Sequence, residues 1–181
     1  MELVGDLGPD EGGTPATAPI ALVADFDTVY RAEHRGLVSL GYVLTGDRAV
    51  AEDLAADAFL AAYRNWGRIG SYDDPRAWLR RVVVNRSVSR VRRLAVEARG
   101  LARLRSRSVA VVELPEGDEQ LWSAVRTLPK RQAQLIALRY VLDLPEAEAA
   151  ECLDISRETA RTHLKRARRR LAELLGENGE L

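Results

Sequence analysis

The residues best suited to chemistry lie near the end of the chain, in the stretch LPEAEAAECLDISRETARTHLKRA from Leu144 to Ala167. Asp154 and Ile155 make a tight turn, and the Ser156 hydroxyl can cap a helix that follows. From there Ala160, Leu164, Ala167, Leu171 and Leu174 recur at alternating four- and three-residue steps and form the side to be buried. The other side shows Arg157, Glu158, Arg161, Thr162, Lys165, Arg166, Arg168 and Arg169. A short helix, a turn and a second helix with Arg, Thr and Lys in its first turns has the geometry that enters a DNA major groove. Guanidinium and ammonium groups read guanine edges and grip phosphates, whereas Glu158 can accept from a cytosine amine or repel phosphate. A plain helical hairpin with a solvated basic surface is the alternative. The capped start, the turn and the dense cationic face together favour DNA binding.

A second cationic concentration runs from Arg76 to Arg93, with seven arginines and no acid. From Met1 to Tyr30 the charge is reversed, with six acids and no base. The net charge of zero therefore conceals two basic segments, which suggest two local polyanion-binding faces, with arginine-rich helices as plain solvated faces the alternative for each.

The elements that must hold these faces are all helical. Residues 1–24 are rich in Gly, Pro, Thr and Ala without periodicity, and are expected to form a disordered acidic tail. Helical spacing begins with Phe26, Val29, Tyr30, Leu37, Leu40 and Leu44, and Gly46-Asp47 stops one helix and caps the next. That next helix carries Ala51, Leu54, Ala55, Ala58, Phe59, Ala62, Tyr63 and Trp66 on one stripe. Arg64 to Asp73 is a loop candidate, and Asp74-Pro75 starts a helix to about Leu94. The β-branched Val82-Val83-Val84 favours a strand, but the run is too long for one and its arginines recur on one side. A linker is expected over 95–117, its first half open to helix, then helices containing Trp122 and Val125, and Ile136 and Tyr140, before the two described above. The expected fold is all-α, with two small helical domains at 25–94 and 118–176 joined by a flexible linker.

Composition excludes several classes. Of 181 residues, 46% are hydrophobic and 30% charged, as in ordinary globular proteins. No stretch approaches the roughly 20 apolar residues of a membrane span, so direct membrane insertion is not expected, and there is no secretory leader pattern. Cys152, the single cysteine, has no internal partner for a disulfide, which fits a cytoplasmic location. His34, His163 and Cys152 are too scattered for a metal site, and Cys152 reads as a small buried hydrophobe. No phosphate-cradling glycine loop and no nucleophile–base pair is found, so neither a cofactor nor a catalytic residue is expected and the chain does not read as an enzyme.

The order of short motifs resembles the extracytoplasmic-function group of RNA polymerase sigma factors, of the SigE-like actinobacterial type, from Phe26 to Leu175. Leu44-Thr45-Gly46-Asp47, Ala51-Glu52-Asp53-Leu54 and Asp57-Ala58-Phe59 are similar to the family's polymerase-binding helix. Trp78-Leu79, Val82-Val83 and Asn85 match its W-L-x-x-apolar-apolar-x-N signature, and Leu128-Pro129 and Leu138-Arg139-Tyr140 precede the helix-turn-helix at the family's spacing. The resemblance implies that a first domain (region 2) binds core RNA polymerase through Asp53, Leu54, Asp57 and Phe59. It further implies that this domain melts the promoter −10 element with Ile69, Tyr72, Trp78, Arg81, Asn85, Arg86 and Arg90. Asn85 can pair with an extruded base, Trp78 and Tyr72 offer aromatic surfaces, and the arginines hold the backbone. The second domain (region 4) would read the −35 element. An anti-sigma partner is implied by the family alone. A stand-alone helix-turn-helix regulator of response-regulator type is the competing function, and a helical scaffold with incidental charge is a third.

Overall fold

The computed structural model describes residues 25–100 and 119–176, with side chains described over 25–87 and 119–176. The expected tail, residues 101–117 of the expected linker, and the side chain of Arg90 lie outside the described residues. All described elements are helices: α1 (Phe26–Thr45), α2 (Arg48–Arg64), α3 (Trp66–Ile69), α4 (Pro75–Gly100), α5 (Glu119–Thr127), α6 (Lys130–Val141), α7 (Glu146–Cys152) and α8 (Arg157–Leu175).

Local chemistry sets the boundaries. The Asp25 carboxylate caps α1 through the Thr28 N–H at 2.9 Å, and its hydrogen bond with the Thr28 hydroxyl holds its pKa below the usual carboxylate value. Gly46 ends α1 at a φ of 73°, a left-handed conformation that favours glycine, and Asp47 caps α2 by accepting from the Val50 N–H. The Asp74 carboxylate accepts from the Arg76 N–H at 2.9 Å where Pro75 opens α4. Two expectations change here. The Arg64–Asp73 loop contains the one-turn helix α3, and α4 runs six residues past Leu94 because nothing before Gly100 breaks it. Residues 95–100 are thus helical, within the half of the expected linker left open to helix.

The first unit packs α1, α2 and α4 together, with Leu40, Val43, Ala55, Ala58, Phe59, Leu79 and Val83 buried. At the α1–α2 crossing, Gly41 lets the helices approach so closely that a Cβ there would lie 3.1 Å from the Ala51 Cα. In the second unit α8 packs on α5, α6 and α7. Ala160, Leu164, Ala167 and Leu171 are buried as their spacing requires, but Leu174 is 45% exposed. Leu175, four residues beyond Leu171, packs against the core instead.

The two units do not stand apart. The α5 and α6 helices lie on α1, α7 lies on α4, and one continuous apolar core runs through both.

The turn between α7 and α8 places Asp154 at a φ of 55°, a left-handed position that aspartate tolerates better than most residues. Ser156 then caps α8, its Oγ accepting from the Thr159 N–H at 3.1 Å. Ser156→Ala is expected to cost about 1 kcal/mol by loss of this cap. Thermal denaturation of the two proteins gives the comparison, and equal stability would show that the cap contributes nothing.

Candidate nucleic-acid interface

The α8 helix presents its cations because its other side is filled. Arg157, Glu158, Arg161, Thr162, Lys165, Arg166 and Arg168 are all exposed, whereas Ala160, Leu164 and Ala167 face α5, α6 and α7. Arg157, Arg161 and Lys165 follow one another at four-residue steps from the capped end and share one stripe. Arg161 lies 3.4 Å from Glu146 of α7, with its own side chain 78% exposed. So exposed a pair holds the guanidinium only loosely. Arg168 is more committed: its Nε donates to the Tyr140 hydroxyl at 3.0 Å, and its guanidinium lies 6.0 Å from the centre of that ring. His163 is half-buried, with its Nδ1 enclosed.

The α4 helix forms the second face. Trp78, Arg81 and Asn85, at steps of three and four, fall on one stripe, where Trp78 is half-buried and Arg81 and Asn85 are exposed. Tyr72, in the turn before α4, is 40% exposed. Arg86 is exposed and lies 3.4 Å from Asp57 of α2. The start of α4 is fixed from within by an ion cluster that sequence reading missed. Glu33 of α1, its side chain only 11% exposed, accepts from the Arg80 Nε at 3.2 Å, and Arg80 also reaches Asp74 at 3.7 Å. A lone glutamate on α1 carries no local signal of a partner 47 residues away.

Three candidates are corrected by burial. Ile69 is fully buried, because α3 turns its side chain into the core, so it offers no side-chain surface to DNA. Leu54 and Phe59 are 2% and 3% exposed, being the inward stripe of α2, and cannot touch polymerase in this arrangement. Phe59 instead packs among Phe26, Tyr30 and His34. The neighbouring Asp53 and Asp57 are exposed.

Arg81 and Arg157, one from each face, line the same surface recess of about 620 Å³. Cys152 is buried, and burial pushes its thiol pKa up to about 11. Among the described residues, no group of three or more His, Cys, Asp or Glu side chains is placed to hold a metal ion, and no helix is long and apolar enough to cross a membrane.

Comparison with known proteins gives this arrangement its context. The Sigma-70 region 2 family model matches residues 29–96 and the Sigma-70, region 4 model matches residues 118–171. The chain is 29% identical over 170 residues to ECF RNA polymerase sigma factor SigW of Bacillus subtilis, covering 84% of this chain and 88% of that one. It is 27% identical over 159 residues to RNA polymerase sigma-E factor of Streptomyces antibioticus, covering 84% and 86%. In fold it is similar to the sigma factor RpoE of Bartonella quintana, solved with the anti-sigma factor NepR. That match has a TM-score of 0.67 and 24% identity and covers 86% of this chain and 99% of that one. CnrH, solved with the cytosolic domain of CnrY, matches with a TM-score of 0.61 and 20% identity over 85% and 89% of the two chains. With both matched segments in order and the exposed basic helix of each in place, the chain belongs to the sigma-70 family of RNA polymerase sigma factors, in its extracytoplasmic-function group.

Proposed function

We propose that this sigma factor, which directs RNA polymerase to promoters, divides the task between its two cationic faces. The α8 face reads the −35 element through Arg157, Arg161, Thr162 and Lys165, and the α4 stripe of Trp78, Arg81 and Asn85 holds the melted −10 strand. The observation that supports this reading is that each face sets polar and cationic side chains, most of them exposed, at helical repeat on a separate helix. Asp53 and Asp57, the exposed members of the α2 motif, are the polymerase-facing pair. The chain supplies no catalytic group, and phosphodiester chemistry belongs to the polymerase. Its place of action is the cytoplasm. An anti-sigma protein is the proposed inhibitor, by analogy with the complex of RpoE with the anti-sigma factor NepR. A stand-alone response regulator is disfavoured, because the Sigma-70 region 2 match occupies the segment a receiver domain would need.

Arg161→Ala or Lys165→Ala is expected to weaken promoter binding by polymerase holoenzyme by about 1–3 kcal/mol if the residue reads a base. The defect should vanish on a promoter whose −35 element is scrambled, since no correct contact remains there to lose. Competition binding on the two templates checks this, and an equal loss on both would reduce the residue to a phosphate contact.

A further inference from the structure

The exposed side of α8 carries one acid that its surroundings leave unused. Glu158 is the second residue of the helix and is exposed, and no described residue bonds or pairs with its carboxylate. The roles that would occupy it are already filled. The cap of α8 closes between Ser156 and Thr159, whose hydroxyls lie 2.8 Å apart while the Thr159 N–H donates to the Ser156 Oγ. A glutamate reaches back to a cap from the third helical position, which is Thr159 here, so Glu158 stands one residue too early. Arg161, three residues on and placed for an intrahelical pair, turns instead to Glu146 of α7 at 3.4 Å. The positive end of the helix favours an acid anywhere in this turn, and does not account for one on this side.

The direction of Glu158 is set by the buried stripe. At 3.6 residues per turn it points about 160° round the axis from Ala160, which is fully buried. Thr162 and Lys165, four and seven residues on, share that outward side, with Arg157 and Arg161 on one flank and Arg166 on the other. The acid thus sits in the middle of the cationic face, where that face comes closest to what it binds.

A carboxylate in that place rejects most of what DNA presents. It only accepts hydrogen bonds, so phosphate oxygens, guanine N7 and O6, and thymine O4 all repel it. Adenine sets its amine beside the N7 acceptor. Cytosine alone offers a donor and no acceptor of its own at the major-groove edge.

We propose that Glu158 is a specificity-determining residue, accepting a hydrogen bond from the exocyclic amine of one cytosine in the −35 element and penalising other bases at that position. This rests on the assignment of α8 to the −35 element above. The flanking cations supply attraction to phosphate whatever the sequence, and the acid between them turns that attraction into a choice of base.

The test uses RNA polymerase holoenzyme formed with the full chain and a pool of duplex promoters randomised through the −35 element. Bound and unbound fractions are sequenced for the wild type, Glu158→Ala, Glu158→Gln and Lys165→Ala. The wild type is expected to prefer cytosine at one position by at least about fivefold, the low end for base-edge contacts, since this one is a single hydrogen bond. Glu158→Ala should lose that preference and keep those at other positions. Glu158→Gln should move it towards adenine, because an amide donates to N7 while accepting from the adenine amine. A role confined to helix stability would weaken binding evenly and could not exchange one base for another.

Unchanged preferences in Glu158→Ala, or loss of a preference for some base other than cytosine, would overturn the proposal. When Lys165→Ala still shifts −35 preferences in that case, α8 remains the reader and only the role of Glu158 falls. A gain in binding by Glu158→Ala that is uniform over all sequences would also overturn it, reducing the acid to a repulsion from phosphate. If the wild type discriminates no base of the −35 element, the assignment of α8 itself fails, and the proposal with it.

Discussion

Phe59→Ala is expected to remove about 3–5 kcal/mol of folding stability, because it empties a large aromatic site in a packed core. Phe59 is 3% exposed, its ring centre 4.6 Å from that of Tyr30 and 6.3 Å from that of Phe26. Those rings sit on α1, so the substitution loosens the contact between α1 and α2 rather than a surface. Asp57→Ala, two residues away, should leave stability within about 0.5 kcal/mol, since its pair with Arg86 is exposed on both sides. Urea denaturation followed by circular dichroism separates the two, alongside a polymerase-binding assay at a temperature where both variants remain folded. The expected pattern is a fold defect for Phe59→Ala and a binding defect without a fold defect for Asp57→Ala. A fully stable Phe59→Ala protein that has lost polymerase would restore Phe59 to the docking surface and remove it from the core.

Asn85→Ala is expected to lower transcription from duplex promoters by about 5- to 150-fold, the loss that follows from removing a base-edge pairing worth about 1–3 kcal/mol. Opening a duplex costs a few kcal/mol per unstacked step, and a residue that captures the extruded base offsets part of that cost. A template with a pre-melted bubble supplies the opening energy in advance. Most of the lost activity should therefore return on it, while binding to the −35 element changes little. Permanganate mapping of unpaired thymines shows the defect directly. If Asn85→Ala opens duplex promoters normally while Arg161→Ala does not, the assignment of melting to α4 and of duplex reading to α8 is wrong.

The parts of this protein that were legible in its sequence are those set by short-range rules. Asp47, Pro75 and Ser156 mark helix starts because caps act within one turn, and Gly46 marks a stop because few other residues accept its φ. The stripe through Ala160, Leu164, Ala167 and Leu171 fixed which side of α8 would be exposed, and hence which cations can meet DNA. Even there the local pattern failed at Leu174, where the stripe allowed either of two neighbouring leucines and packing chose Leu175.

Tertiary structure decided what depends on distant partners. Leu54, Phe59 and Ile69 fall within motifs that suggest contact with another molecule, but the approach of α1, α2 and α4 buries them. The Glu33–Arg80 pair and the Gln134 bond to Val84 join residues 47 and 50 positions apart, beyond any periodicity in the chain. Nothing in composition or spacing states that the two helical units are folded against each other. That follows from a shared apolar core, because burial is favoured wherever apolar surfaces fit, whatever their separation in sequence.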